Sequence, residues 1–152
     1  MKAGRVGVLM GGTSSEREIS LRSGRAMLKA LQHAGVNVIG VDLTDDWPAR
    51  IRQAGIDTAV IALHGTWGED GCVQGLLEIM RIPYTGAGVT ASALCMHKPL
   101  CKVVLNAAGL KTPVDIPITE RGPARYPVII KPVAEGSSVG LYTLASEDDW
   151  TA

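Results

Sequence analysis

Val6-Gly7-Val8-Leu9-Met10 runs without a polar side chain into Gly11-Gly12-Thr13-Ser14-Ser15. A continuous apolar run ending in glycines and small hydroxyl residues reads as a strand buried on both faces leading into a loop, the mark of a parallel sheet. From Glu16 to about Ala34, Leu21, Gly24, Leu28 and Leu31 recur at spacings of three and four. That spacing predicts a helix, with Ser14 or Ser15 as its N-cap and Gly35 as its stop.

The same alternation continues outward from this unit. Val36 to Val41 reads as a second strand, Pro48 to Gln53 as a weaker helix, and Thr58 to Leu63 as a third strand ending at His64-Gly65. Cys72 to Met80 reads as a short helix, Ile82 to Thr85 as a fourth strand and Gly86-Ala87-Gly88 as a tight turn. Strands and helices alternating at this length predict an α/β fold, a parallel sheet with helices on its faces. Ligands of such sheets sit at the carboxyl ends of the strands, which singles out the loops Gly11 to Glu16 and His64 to Gly71.

The pattern changes near residue 90. Thr90 to about Ala108 is predicted helical, broken or bent near Pro99 and ended by Gly109. Pro113 to Ile118 and Val128 to Lys131 read as strands joined by a turn at Arg121-Gly122-Pro123, and Leu141 to Leu144 as a strand after the loop Gly136-Ser137-Ser138-Val139-Gly140. This is a separate α+β piece. The boundary falls between about Gly88 and Cys101, giving domains of residues 1–95 and 96–152.

With 152 residues, 46% of them apolar, the chain can bury a sizeable core. Fifteen basic residues balance fifteen acidic ones, which argues against a nucleic-acid or membrane partner and favours a small polar or zwitterionic ligand. Cys72, Cys95 and Cys101 are odd in number and lack CxxC spacing, so they read as reduced thiols rather than a disulfide framework or zinc ribbon. No apolar run approaches the length of a signal-peptide core or membrane span, and the expected compartment is the cytoplasm.

Lys131-Pro132 followed by Glu135-Gly136-Ser137-Ser138-Val139-Gly140 carries the strongest chemical signal. A lysine ending a strand can pair with phosphate while N–H groups and hydroxyls of a small-residue loop approach its oxygens; the competing reading is a flexible hairpin. It lacks the spacing of a Walker loop. Gly11 to Glu16, between a strand and a helix, suits an anion, and the spacing of Gly4, Gly7, Gly11 and Gly12 is not that of a dinucleotide fingerprint. Glu16 there either complements the helix dipole or binds a substrate ammonium group. His64, Glu69 and Asp70 share a loop and are possible metal ligands, but without a second ligand cluster they read better as hydrogen-bonded loop residues. His64 fits substrate contact or a histidine held by backbone carbonyls. Lys98, on its residue type alone, is a solvated lysine. No cysteine has a recognisable base partner for thiolate catalysis.

Four groups of residues, taken in order, carry a resemblance. They are Gly11 to Ser20; Ala62-Leu63-His64-Gly65 with Gly68-Glu69-Asp70-Gly71 and Gln74-Gly75; Pro83-Tyr84-Thr85-Gly86 with Gly88-Val89 and Ala91 to Leu94; and Val128 to Pro132 with Glu135 to Gly140. Together they closely resemble the D-alanine:D-alanine ligases of the ATP-grasp superfamily over almost the whole chain. The resemblance implies a Rossmann-like, pre-ATP-grasp N-terminal domain followed by an incomplete ATP-grasp subdomain. It implies a reaction in which ATP, with Mg2+, phosphorylates one D-alanine and a second D-alanine attacks the acyl phosphate, for peptidoglycan precursor synthesis. By resemblance, Glu16 holds the ammonium group of the first D-alanine, and Ser137 joins it in a network reaching a tyrosine beyond residue 152. Ile19 and His64 line the substrate site. Lys98 and Lys131 contact ATP phosphates, Ser137, Ser138 and Val139 belong to the loop over them, and Ile129 and Leu141 line the adenine pocket. A homodimer is implied for the full-length protein.

Three departures accompany the likeness. The family usually has Met-Asp-Lys where this chain has Met96-His97-Lys98 followed by Pro99, which is expected to disturb the helix carrying the phosphate lysine. The connection from Ile118 to Tyr126 is shorter than the family's, so a packing helix is expected to be missing. The lid, the transition-state arginine and the Asp/Glu/Asn metal ligands are expected beyond Ala152, and the chain alone is expected to lack ligase activity. Rival expectations are a truncated, non-catalytic binding or dimerisation module and a related ligase using D-lactate or D-serine.

Overall fold

The computed structural model describes residues 4–150. Its first element, β1 (Val6–Gly11), is buried along almost its whole length. That burial follows from its place as the central strand of a three-stranded parallel sheet, between β2 (Val38–Leu43) and β3 (Thr58–Ile61). Val6 pairs with Val38 on one side and Thr58 on the other, so Gly11 lies opposite Leu43 and Leu9 opposite Ile61. All three strands therefore finish at one edge, where the loops of interest begin.

Alternate residues of β1 enter opposite cores. Leu9 packs with Val41, Leu43, Ile51, Val73 and Leu77, under α2 (Trp47–Ala54) and α3 (Cys72–Met80). Val8 and Met10 face the other way, onto Leu21 of α1 (Arg17–His33). Gly24 lets α1 lie close to the sheet, because a Cβ there would stand 2.4 Å from the Met10 Cβ. The N-cap of α1 is Glu16, without a side-chain cap, rather than Ser14 or Ser15. In α2 the cap is Asp46, whose Oδ1 accepts from the Ala49 N–H at 3.1 Å.

The expected fourth strand reduces to one parallel bridge, Ala59 to Tyr84. Ala59 N–H donates to the Pro83 carbonyl and Thr85 N–H donates to the Ala59 carbonyl. Pro83 has no N–H to extend that ladder.

The chain divides into two compact units, Met1–Cys95 and Met96–Ala152. The helical stretch after residue 89 breaks at His97 into α4 (Val89–Met96) and α5 (Lys98–Ala107). The break meets the expectation of one near Pro99, and beyond it α5 is regular: Pro99 lies in its first turn, where its missing N–H costs nothing, and His97 caps it. The predicted pairing of residues 113–118 with 128–131 is replaced by two separate ribbons. β4 (Ile118–Thr119) turns back on β5 (Gly122–Pro123), and β6 (Val128–Ile130) pairs antiparallel with β7 (Tyr142–Leu144). Pro113 and Pro117 cannot donate to a ladder, which leaves the segment between them unpaired. Among the described residues no helix lies between Ile118 and Tyr126, and none is long and apolar enough to cross a membrane.

Candidate functional site

At the carboxyl edge of the sheet, β1 leaves through Gly11 and Gly12, both with positive φ (83° and 80°). A side chain at Gly11 would collide with the Asp42 carboxylate, its Cβ only 2.1 Å from Oδ1. Arg17 makes a two-pronged ion pair with Asp42, at 2.8 and 2.7 Å, and donates to the Gly12 carbonyl at 3.1 Å. Hydrogen bonding to Asp42 raises the Arg17 pKa above its ordinary value. Ser20, fully buried, accepts from the Gly11 N–H at 2.9 Å and donates to the Ala62 carbonyl at 2.8 Å. It ties the end of β1 to the segment after β3. Sequence reading gave neither residue a role of its own; the signal for Ser20 was a hydroxyl four positions before Gly24, on the apolar stripe of α1.

The two loops meet through Ser14. Its Oγ donates to the His64 carbonyl at 2.8 Å and accepts from the Glu16 N–H at 3.2 Å. Gly65, at φ 68°, packs so tightly here that a Cβ would lie 3.2 Å from Ser14 Oγ and 3.3 Å from Glu16 Oε1. Glu16 is accordingly buried, at 3% exposure, in a loop lined by groups from both strand ends. The His64 ring lies with Nε2 3.4 Å from Ser23 Oγ and Nδ1 3.5 Å from Glu69 Oε1. Ile19, 42% exposed, lies in the first turn of α1, three residues after Glu16 and four before Ser23. The structure thus brings the Glu16 and His64 loops together at one strand end, with Ile19 in the first turn of the helix that starts there.

Glu69 and Asp70 hold the loop itself. Glu69 Oε2 accepts from the Gly65 N–H at 2.9 Å, and Asp70 accepts from the N–H groups of Trp67 and Cys72 at 2.8 and 3.1 Å. Among the described residues no group of three or more His, Cys, Asp or Glu could hold a metal ion.

In the second unit, Lys98 is bound to the segment after β6. Its N–H donates to the Val133 carbonyl at 3.1 Å and its Nζ to the Glu135 carbonyl at 2.5 Å. Ser137 and Ser138 both adopt left-handed conformations (φ 48° and 62°), and the loop closes through Val139 N–H to Gly136 O and Leu141 N–H to Ser138 O. Lys131 follows β6 and is exposed, as are Ile129, Val139 and Leu141. An exposed apolar strand face, a lysine at its end and a serine loop under tension in backbone conformation fit a nucleotide: apolar surface for a base, charge and hydroxyls for phosphates.

A three-layer parallel-sheet domain with converging strand-end loops, leading into a small α+β unit, is the N-terminal architecture of an ATP-grasp enzyme. The family model described as the D-ala D-ala ligase N-terminus matches residues 5–54 and 47–87, and the chain belongs to that family. It is similar to the D-alanine–D-alanine ligase of Desulforudis audaxviator, 48% identical over 97% of this chain and 51% of that protein. The crystal structure of a D-alanine–D-alanine ligase from Bacillus anthracis matches with a TM-score of 0.81 at 35% identity, over 97% of this chain and 51% of the other. The structure of that ligase complexed with ATP matches with a TM-score of 0.80 at 32% identity, over 98% and 53%. The chain spans about half the length of the curated relatives it matches.

Proposed function

We propose that this protein serves the ATP-dependent ligation of two D-alanines, with the first unit binding the first D-alanine and the second forming part of an ATP-grasp nucleotide site. The observation that carries this reading is the convergence of the Glu16 and His64 loops through Ser14, which sets a buried carboxylate beside a histidine at the sheet's carboxyl edge. A carboxylate there matches an amino acid's ammonium group in charge and hydrogen bonding. Ile19 and His64 line the space around the small methyl side chain. Lys131 and Lys98, with Ser137, Ser138 and Val139, engage the phosphates, and Ile129 and Leu141 supply apolar surface for adenine. Glu16 and Ser137 are each proposed to take part in catalysis, one from each unit.

The chemistry is phosphoryl transfer to one D-alanine carboxylate, followed by attack of the second amine on the acyl phosphate with loss of phosphate. Positioning and charge neutralisation supply most of the rate, since an anionic acceptor must approach anionic phosphates. Mg2+, when bound, would add its charge to the phosphates. The working form proposed is a cytoplasmic homodimer.

The test is a titration of the isotope-labelled chain with D-alanine, followed by amide shifts. Ser14, Glu16 and Gly65 are expected to move, with Glu16→Gln abolishing the response and L-alanine failing to reproduce it. Saturating D-alanine without a shift at these amides would sink the substrate assignment. ATP is expected to shift Lys131, Ser137 and Ser138 independently, and D-alanine-stimulated phosphate release, measured with this chain and with a version extended through any downstream coding sequence, reads the reaction itself.

A further inference from the structure

Residue 97 stands between two helices, and its ring is used as a cap. The Leu100 N–H, an orphan donor in the first turn of α5, donates to His97 Nδ1 at 3.3 Å, while the Cys101 N–H donates to the His97 carbonyl at 3.0 Å. An N-cap must offer an acceptor, and Ser, Thr, Asp and Asn do so at every pH near neutrality. A histidine does so only while Nδ1 carries a lone pair, that is, as the neutral tautomer protonated at Nε2. Once protonated, the ring presents a second donor to the Leu100 N–H and places a positive charge at the positive end of the helix dipole.

Lys98 is the next residue, and its backbone and side chain are both committed to the loop that follows β6, at Val133 and Glu135. The first turn of α5 therefore sets where that lysine stands. We propose that His97 is a positioning residue for Lys98, acting through an N-cap that exists only while the imidazole is neutral. The charged groups on α5 and on the segment bonded to Lys98 are Lys98, Lys102, Lys131 and Glu135, and Lys102 pairs with Asp115. Among the described residues no carboxylate forms an ion pair with the His97 ring, so the charged form has no partner of its own. The consequence for function rests on the reading of Lys98 as a phosphate contact; the cap does not.

The experiment uses the 152-residue chain itself, followed by NMR from pH 8 to pH 5, the window in which imidazoles titrate. Protection of the Leu100 amide, corrected for the intrinsic pH dependence of exchange, is expected to fall about fivefold, the effect of losing one N-cap. The fall should follow the His97 ring titration read from its own ring signals. His97→Asp is expected to keep the cap and remove the transition from this window, and His97→Ala to be unprotected throughout. Protection that stays flat in the unsubstituted chain, or an unchanged transition in His97→Asp, would overturn the proposal. ATP affinity of the same samples is expected to weaken with protonation and to lose that dependence in His97→Asp. A titrating cap with indifferent ATP affinity would uphold the cap and overturn instead the phosphate role of Lys98.

Discussion

In the first unit β1 lies between helices on both faces, and Val8, Leu9, Leu43, Ile51 and Leu77 have no exposed surface at all. In the second, Leu100, Val103, Val114, Ile129 and Tyr142 are each more than half exposed. The two units have similar kinds of apolar residue and use them differently. A central strand with partners on both sides buries alternate residues in two cores at once, whereas a two-stranded ribbon has one face at most to cover and is marginal alone. Stability therefore resides in the sheet that carries Glu16 and His64, while the lysines and serine loop are held by a weaker scaffold.

The largest expected effect is in hydrogen exchange. Amides of Val8 and Leu9 should exchange at least about 100-fold more slowly than those of Ile129 and Ile130, because the first group opens only with the unit's core. Equal protection in both would break the contrast. Point substitutions sharpen it: Leu77→Ala should cost about 2–5 kcal/mol in urea unfolding, by loss of transfer energy and creation of a cavity. Ile129→Ala, at a position 57% exposed, should change stability by less than about 0.5 kcal/mol. A cost at Ile129 matching that at Leu77 would mean the β6 face is covered in solution.

A smaller effect is expected at Ser20. Ser20→Ala removes the acceptor for the Gly11 N–H and the donor to the Ala62 carbonyl, both buried. The expected cost is about 1–3 kcal/mol, the desolvation penalty of groups left without partners. Ser20→Thr, which retains the hydroxyl, separates that loss from simple intolerance of substitution; if Ser20→Ala melts with the unsubstituted chain, the hydroxyl bridge does not hold the strand ends together.

The first unit was legible because its signals are local and repeated. Val6 to Met10 and the Leu21, Gly24, Leu28, Leu31 stripe each state a period, and the predicted α3, Cys72 to Met80, has the observed bounds. The second unit was less legible for the reason it is less covered. Its pairing is decided by which short segments lack N–H groups, so Pro113 and Pro117 kept unpaired a segment that propensity alone placed against β6. Glu16 and His64 were readable as strand-end residues, but their joining by Ser14 was not, since a serine's partner fifty residues away leaves no mark in local sequence. Arg17 and Ser20 were hidden in the same way: their partners, Asp42 on β2 and Ala62 just after β3, are distant in sequence. His97 departed from the family's pattern in a way that suggested damage, and the structure shows its ring supplying the cap.

The smallest effect tests how the His64 to Gly71 loop is held. A cysteine opening a helix normally has its thiolate favoured by the helix dipole. Cys72 opens α3, yet burial first, and hydrogen bonding and charge from Asp70 second, raise its pKa above the ordinary thiol value. The sign follows directly: less thiolate is present at pH 7–8, so disulfide exchange with a reporter disulfide should be slower than for a free cysteine peptide. In a Cys95→Ser, Cys101→Ser background, where Cys72 alone reports, Asp70→Asn should raise the rate severalfold, because the opposing charge is gone while one of the two oxygens that accept from the Trp67 and Cys72 N–H groups remains. Asp70→Ala should raise it too, but with loosened amides at Trp67 and Cys72. An unchanged rate in Asp70→Asn would mean that burial alone sets the thiol and that Asp70 serves this loop only as a backbone acceptor.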